Sequence, residues 1–241
     1  MKRPQFANNQ IYHIYNRGVE KRDVFLEDKD RYRFIHDLFE FNDTEQVKNL
    51  FYYFNPKSIE VEPHYLAKER KPRKLLVEIL AFVLMPNHFH LLLRQKRENG
   101  IVKFMQKLGT GYAMYFNKKN ERVGPLFQGK FKAVIIKNHA YLIHLPYYIH
   151  LNPLELFFPS WPNYRGSTSL VEMINFLENY RWSSWLDYIG KENFPSVTSR
   201  EFLLEIFGSP QKYKKDTIEW LKEKNLRKNL EIISPVALDF Y

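Results

Sequence analysis

The chain has 241 residues, 44% of them hydrophobic and with 16 Tyr and 20 Phe among them, enough for one substantial core with elaborations. It contains no cysteine, which excludes a disulfide framework or a thiolate metal site, and no apolar run reaches the roughly 18 residues of a membrane span. Lys and Arg number 37 against 27 Asp and Glu, a formal charge of +10 that favours a polyanionic partner, because each neutralised phosphate releases counterions.

The opening residues, MKRPQFANNQIYH, lack the apolar stretch of a secretory leader, so a cytoplasmic location is expected. Residues 10–16, QIYHIYN, predict a first strand that Arg17 and Gly18 end. Asp28 as N-cap would open a helix over 29–41 with Phe34, Ile35, Leu38 and Phe39 on one face. The stretch 43–74 mixes aromatics with Pro56 and Pro63 and closes on the basic run KERKPRK at 68–74. It reads as an insertion holding a short helix and an exposed basic loop. Leu75 to Leu84 is nearly all apolar and predicts a buried central strand. The turn Met85-Pro86-Asn87 then leads into a second strand over His88–Arg94. A helix over about 101–118 carries Val102, Met105, Leu108, Tyr112 and Tyr115 at spacings of three to four. A strand over 131–137 and a helix from about 140 to 152 follow.

That order, β-α-β-β-α-β with a helix appended, predicts the α+β class and a ferredoxin-like split βαβ sheet. The expected organisation is a domain over 1–153 and a helical C-terminal extension over 154–241, probed by helical patterns near 170–178, 200–207 and 211–230.

Two segments can carry chemistry. In His88-Phe89-His90, residues two apart on a strand share a face, so both imidazoles project together and can hold one divalent metal. The plainer reading of an isolated pair is two half-buried histidines around a core Phe. In YYIHLNP at 147–153, Tyr148 and Asn152 are four apart and share a helix face, and Pro153 should end the helix at Asn152. The Asn152 oxygen can complete a His, His, Asn set, whose hard oxygen and imidazole donors suit Mg²⁺ or Mn²⁺. Alone, with 16 tyrosines in the chain, this segment reads first as a core tyrosine and a capping Asn. His13 and His144 are candidate proton acceptors, each read first as structural.

Taken together, MPNHFHLLL, YIHLNP, the early YNRG, GPLFQGKFKAVII at 124–136 and YRWSS at 180–184 resemble the single-tyrosine HUH transposases, especially the REP-associated tyrosine transposases. The likeness covers most of 10–190 in the family's order. It implies that His88, His90 and Asn152 bind a divalent metal and that Tyr148 attacks a phosphate of single-stranded DNA, at hairpin-forming repeats. The implied product is a 5′-phosphotyrosine link that a later hydroxyl attack reverses. Relatives include monomers and homodimers. Arg17, Lys103, Lys107, Arg122, Lys130 and Lys132 lie in motifs near the presumed active face and are candidate DNA contacts.

Some positions depart from the pattern. Tyr147 stands where the family has a basic residue, which leaves Tyr147 as an alternative nucleophile. Pro146 suggests a break that frees the tyrosine segment to move. Rolling-circle initiators share the motif order but carry a lysine three or four after the tyrosine, where this chain has Leu151 and Asn152. A non-catalytic DNA-binding relative, an initiator-like nickase and a metal-dependent hydrolase that activates water are the competing readings.

Overall fold

The computed structural model describes residues 3–45, 72–158 and 170–222. Four strands, β1 (Ile11–Arg17), β2 (Val77–Met85), β3 (His88–Gln95) and β4 (Lys132–Ile135), form one sheet in the order β2-β3-β1-β4. All three pairings are antiparallel. Helix α1 (Asp28–Glu40) connects β1 to β2, and α2 (Gly100–Lys119) connects β3 to β4. Because β3 sits between β1 and β2, this is the split βαβ arrangement expected from the sequence.

Strand periodicity sorts the side chains between two cores. Phe89, Leu91 and Leu93 of β3 join α1 and α2 on one face, with Phe34, Leu38, Phe104, Leu108 and Tyr112. Leu92 points to the other face, and so do His88 and His90 by alternation. There it meets a second apolar cluster built from α3 (His139–Leu151) and the C-terminal helices. Those helices are α5 (Leu170–Asn179), α6 (Trp185–Tyr188), α7 (Glu201–Phe207) and α8 (Pro210–Lys222), after a single turn, α4 (Leu154–Phe157).

Several boundaries differ from expectation for identifiable reasons. Helix α1 is capped by Glu27 rather than Asp28, because the Asp30 carboxylate accepts from the Leu26 and Glu27 amides at 2.9 and 3.2 Å. The buried face of α2 is Ile101, Phe104, Met105, Leu108, Tyr112 and Phe116, which leaves Val102 and Tyr115 at its margins. Strand β2 is at the edge of the sheet and not central. Its apolar run is buried because a cluster covers each face, and residues 182–184 lie along its outer edge. The Leu84 amide donates to Trp182 O at 2.8 Å, the Ser184 amide to Phe82 O at 3.0 Å, and the Phe82 amide to Ser184 Oγ at 2.9 Å. Tyr180 Oη donates to Leu84 O at 2.5 Å. A bulge between Ile79 and Ala81 turns both Leu80 and Ala81 toward the second cluster, and Tyr188 Oη donates to Leu80 O at 2.6 Å.

Helix α3 is apolar around most of its circumference, as befits a helix packed between a sheet and further helices. Asn138 Oδ1 caps it by accepting from the Tyr141 amide at 2.7 Å. It runs unbroken through Pro146, so the break expected there is absent. Asn152 forms its C-cap while keeping helical angles (φ −49°, ψ −39°). The short helix and most of the basic run expected in the insertion lie outside the described residues, as does 223–230 of the expected terminal helix. No helix among the described residues is long and apolar enough to cross a membrane.

Candidate metal and tyrosine site

The site forms where β1, β3 and α3 meet on the second face of the sheet. Antiparallel register sets Arg17 opposite His88, Tyr15 opposite His90 and His13 opposite Leu92. His88 and His90 are buried, their ring centroids 5.1 Å apart and nearly perpendicular. Helix α3 crosses above them. The Tyr148 ring meets His90 edge-on, 5.6 Å between centroids, and one turn later Asn152 Oδ1 lies 3.3 Å from His88 Nε2.

The tautomer of His88 follows from its neighbour. Asn87 donates its side-chain N–H to Lys21 O at 3.2 Å, which turns Oδ1 toward His88 Nδ1 at 2.6 Å. That oxygen only accepts, so His88 carries its proton on Nδ1 and a lone pair on Nε2. The lone pair faces a second acceptor, the Asn152 oxygen. Two acceptors converging beside another imidazole form a donor set for a cation. Burial keeps the pair neutral: it holds His88 down to about 4, assisted by the Arg17 charge and opposed by the Asn152 contact. Burial likewise keeps His90 well below the usual histidine range.

These residues fit a divalent ion. Among the described residues no three His, Cys, Asp or Glu side chains converge as a metal site. Two imidazoles and one amide oxygen are a sparse set, which suits an ion that keeps water or substrate oxygens in its remaining positions.

Residues 53–152 match the family model of IS200-like transposases. The family resemblance carried by the sequence motifs is therefore borne out over a segment that includes both histidines, Tyr148 and Asn152. A comparison with curated proteins finds no match. Among solved structures, one described as a REP-associated tyrosine transposase bound to a REP hairpin is 12% identical, with a TM-score of 0.47. That match covers 83% of this chain and 92% of the other.

Within the IS200-like segment the alternatives near Tyr148 separate cleanly. Tyr147 points the other way and stacks on Tyr213 (5.0 Å between centroids, 11° between planes). His144 Nδ1 accepts from Trp220 Nε1 at 3.3 Å, on the side facing the C-terminal helices. His13, in contrast, lies in the site, its Nε2 2.9 Å from His90 Nδ1. Neither the Asn87 contact nor this histidine pairing was predicted from the sequence.

The six candidate DNA contacts do not share one face. Arg17 flanks His88, and Lys132 is exposed on β4 with Nζ 5.7 Å from the Tyr15 ring, so these two border the site. Lys103 and Lys107 lie on α2, which covers the opposite face. Lys107 Nζ donates to the carbonyls of Asp43 and Glu45 at 2.6 and 3.0 Å. Arg122 follows α2 and donates to Asn117 Oδ1 at 2.8 Å. Lys130 lines a cavity of about 620 Å³ on the α2 face, with Phe127, Phe131 and Arg3. The expectation that all six lie near the active face is corrected to Arg17 and Lys132. The other four belong to helix α2 and the loop after it, whose packing side a sequence pattern does not reveal.

Proposed function

We propose that the chain is a metal-dependent transposase or endonuclease that cleaves and rejoins single-stranded DNA, with hairpin-forming repeats as its substrate. The observation that carries this reading is the convergence of His88 Nε2 and Asn152 Oδ1 at 3.3 Å beside His90, with the Tyr148 ring against the same His90. The family match over 53–152 supports it.

In this reading Tyr148 Oη attacks a DNA phosphorus. The new bond is tyrosine O–P, the broken bond is P–O3′, and the phenolic proton ends on the departing 3′ oxygen. The products are a 5′-phosphotyrosine and a free 3′-hydroxyl, and attack by a DNA 3′-hydroxyl reverses the exchange. One phosphodiester replaces another, so no nucleotide triphosphate is consumed. A phenol with a pKa of about 10 is a weak nucleophile at neutral pH, and the site must compensate. His88, His90 and Asn152 would hold Mg²⁺ or Mn²⁺, which when bound supplies Lewis-acid polarisation of the scissile phosphate. Arg17, beside His88, gives that anion a second, fixed positive charge. Lys132 extends the basic rim, and Lys103, Lys107, Arg122 and Lys130 would serve DNA bound away from the site. The catalytic unit is assigned to 1–153 and the extension to 154–241, whose described helices pack on that unit.

The test is covalent trapping. Full-length protein is incubated with Mn²⁺ and a labelled pool of single-stranded hairpin oligonucleotides, and denaturing gels are read for protein attached to the 5′ side of the cut. The wild type and Tyr147→Phe should form the adduct, while Tyr148→Phe should lose at least about 10³-fold in rate. An adduct from Tyr148→Phe at the wild-type rate would refute the nucleophile assignment. Tight hairpin binding by the wild type with no adduct would favour a non-catalytic DNA-binding relative.

A further inference from the structure

His13 has no part in the mechanism above, yet it is fully buried against one of the metal-binding candidates. Its Nε2 is 2.9 Å from His90 Nδ1, with the ring planes inclined by 25° and the centroids 5.0 Å apart. Two neutral imidazoles joined in this way place one proton in the contact: one ring donates and the other accepts. The choice decides what His90 can do. If His13 donates, the His90 proton sits on Nε2 and closes that nitrogen to a cation. If His90 donates from Nδ1, its Nε2 carries the lone pair.

For His88 the equivalent choice is made by the Asn87 oxygen. Metal-binding histidines commonly give their second N–H to such a partner, which fixes the ring and its tautomer. We propose that His13 is the positioning residue that accepts this N–H from His90, so that both histidines present Nε2 to the same cation. The proposal rests on the metal-site reading above. In this arrangement His13 holds its own proton on Nδ1, an atom with no hydrogen-bond partner among the described residues. A buried N–H left without a partner is costly. The opposite placement, with His13 donating, moves the proton onto His90 Nε2, the atom a cation would take, so a bound cation selects the placement in which His90 donates.

Two measurements on the full chain test this. In the first, long-range ¹H–¹⁵N spectra of labelled wild-type protein saturated with Mg²⁺ should show His90 protonated at Nδ1 and bare at Nε2. A His90 proton on Nε2 under those conditions overturns the proposal, and this reading needs no variant to fold. In the second, Mn²⁺ affinity is measured by the loss of the free-ion paramagnetic signal. His13→Leu should bind Mn²⁺ about 10- to 100-fold more weakly, and His13→Gln, whose Oε1 can accept the same bond, should recover most of that loss. Wild-type affinity in a folded His13→Leu overturns the role of His13 and leaves the metal site standing. Absence of Mn²⁺ binding by the wild type itself overturns both.

Discussion

Gly18 closes the YNRG motif, and its requirement is space. A Cβ built there would lie 2.2 Å from Arg22 O and 2.9 Å from Val24 Cγ1, while its φ of −58° is ordinary for any residue. Its amide donates to Asn87 O at 2.8 Å, so the glycine ties the end of β1 to the turn that orients His88. Gly18→Ala is therefore expected to cost about 1–3 kcal/mol, read as a lowered urea midpoint; an unchanged midpoint would show that the turn yields freely. Much of the site was legible at this scale. Period-two alternation paired His88 with His90, and a spacing of four paired Tyr148 with Asn152. The His13–His90 contact was not legible, because it joins strands distant in sequence and depends on a register that no local pattern states. The side of Lys103 and Lys107 was hidden for the same reason.

Among the elements, α3 is where a local rule failed. Proline inside a helix forfeits a hydrogen bond and crowds the preceding turn, which argued for a break at Pro146. The helix instead continues because both sides are clamped. The sheet lies on one side. On the other, Tyr147 stacks on Tyr213, and His150 reaches Tyr213 Oη and Ser184 Oγ, each at 2.8 Å. These partners come from segments the sequence showed only as further helices and a family motif. Tyr213→Phe removes one partner of a buried imidazole and is expected to destabilise by about 1–3 kcal/mol. The loss should concentrate as faster amide hydrogen exchange over 139–151. Equal protection in variant and wild type would mean that α8 does not restrain the tyrosine helix.

At the scale of the molecule, the buried histidines set its response to acid. Burial lowers His13 and His150 to about 3 and His88 to about 4, and keeps His90 well below its usual range. Unfolded, each takes up a proton near pH 6.5. Their contribution is therefore complete above that pH and is lost progressively as the pH falls toward 4. Asp37, raised to about 7 chiefly by burial, acts in the opposite sense, binding its proton more readily when folded. Asp187 and Glu155, also raised by burial, act as Asp37 does, but the four imidazoles outnumber these three carboxyls, so the urea midpoint should fall between pH 7 and pH 5. A flat or rising profile would mean that these imidazoles admit protons without unfolding. The β-α-β-β-α-β order had foretold the sheet, because each element is long and strongly patterned. The edge position of β2 was concealed, since an apolar run looks alike whether strands or other segments bury it.

The seating of residues 182–184 along β2 has a consequence for self-association. An uncovered edge strand offers its amides and carbonyls as a template on which a second molecule can add a strand, the first step toward aggregation. Here Phe82 and Leu84 are already engaged by Trp182 and Ser184 of the same chain. The short segment that braces the tyrosine helix through Ser184 thus also removes a surface on which copies of this aromatic-rich chain would nucleate disordered assembly.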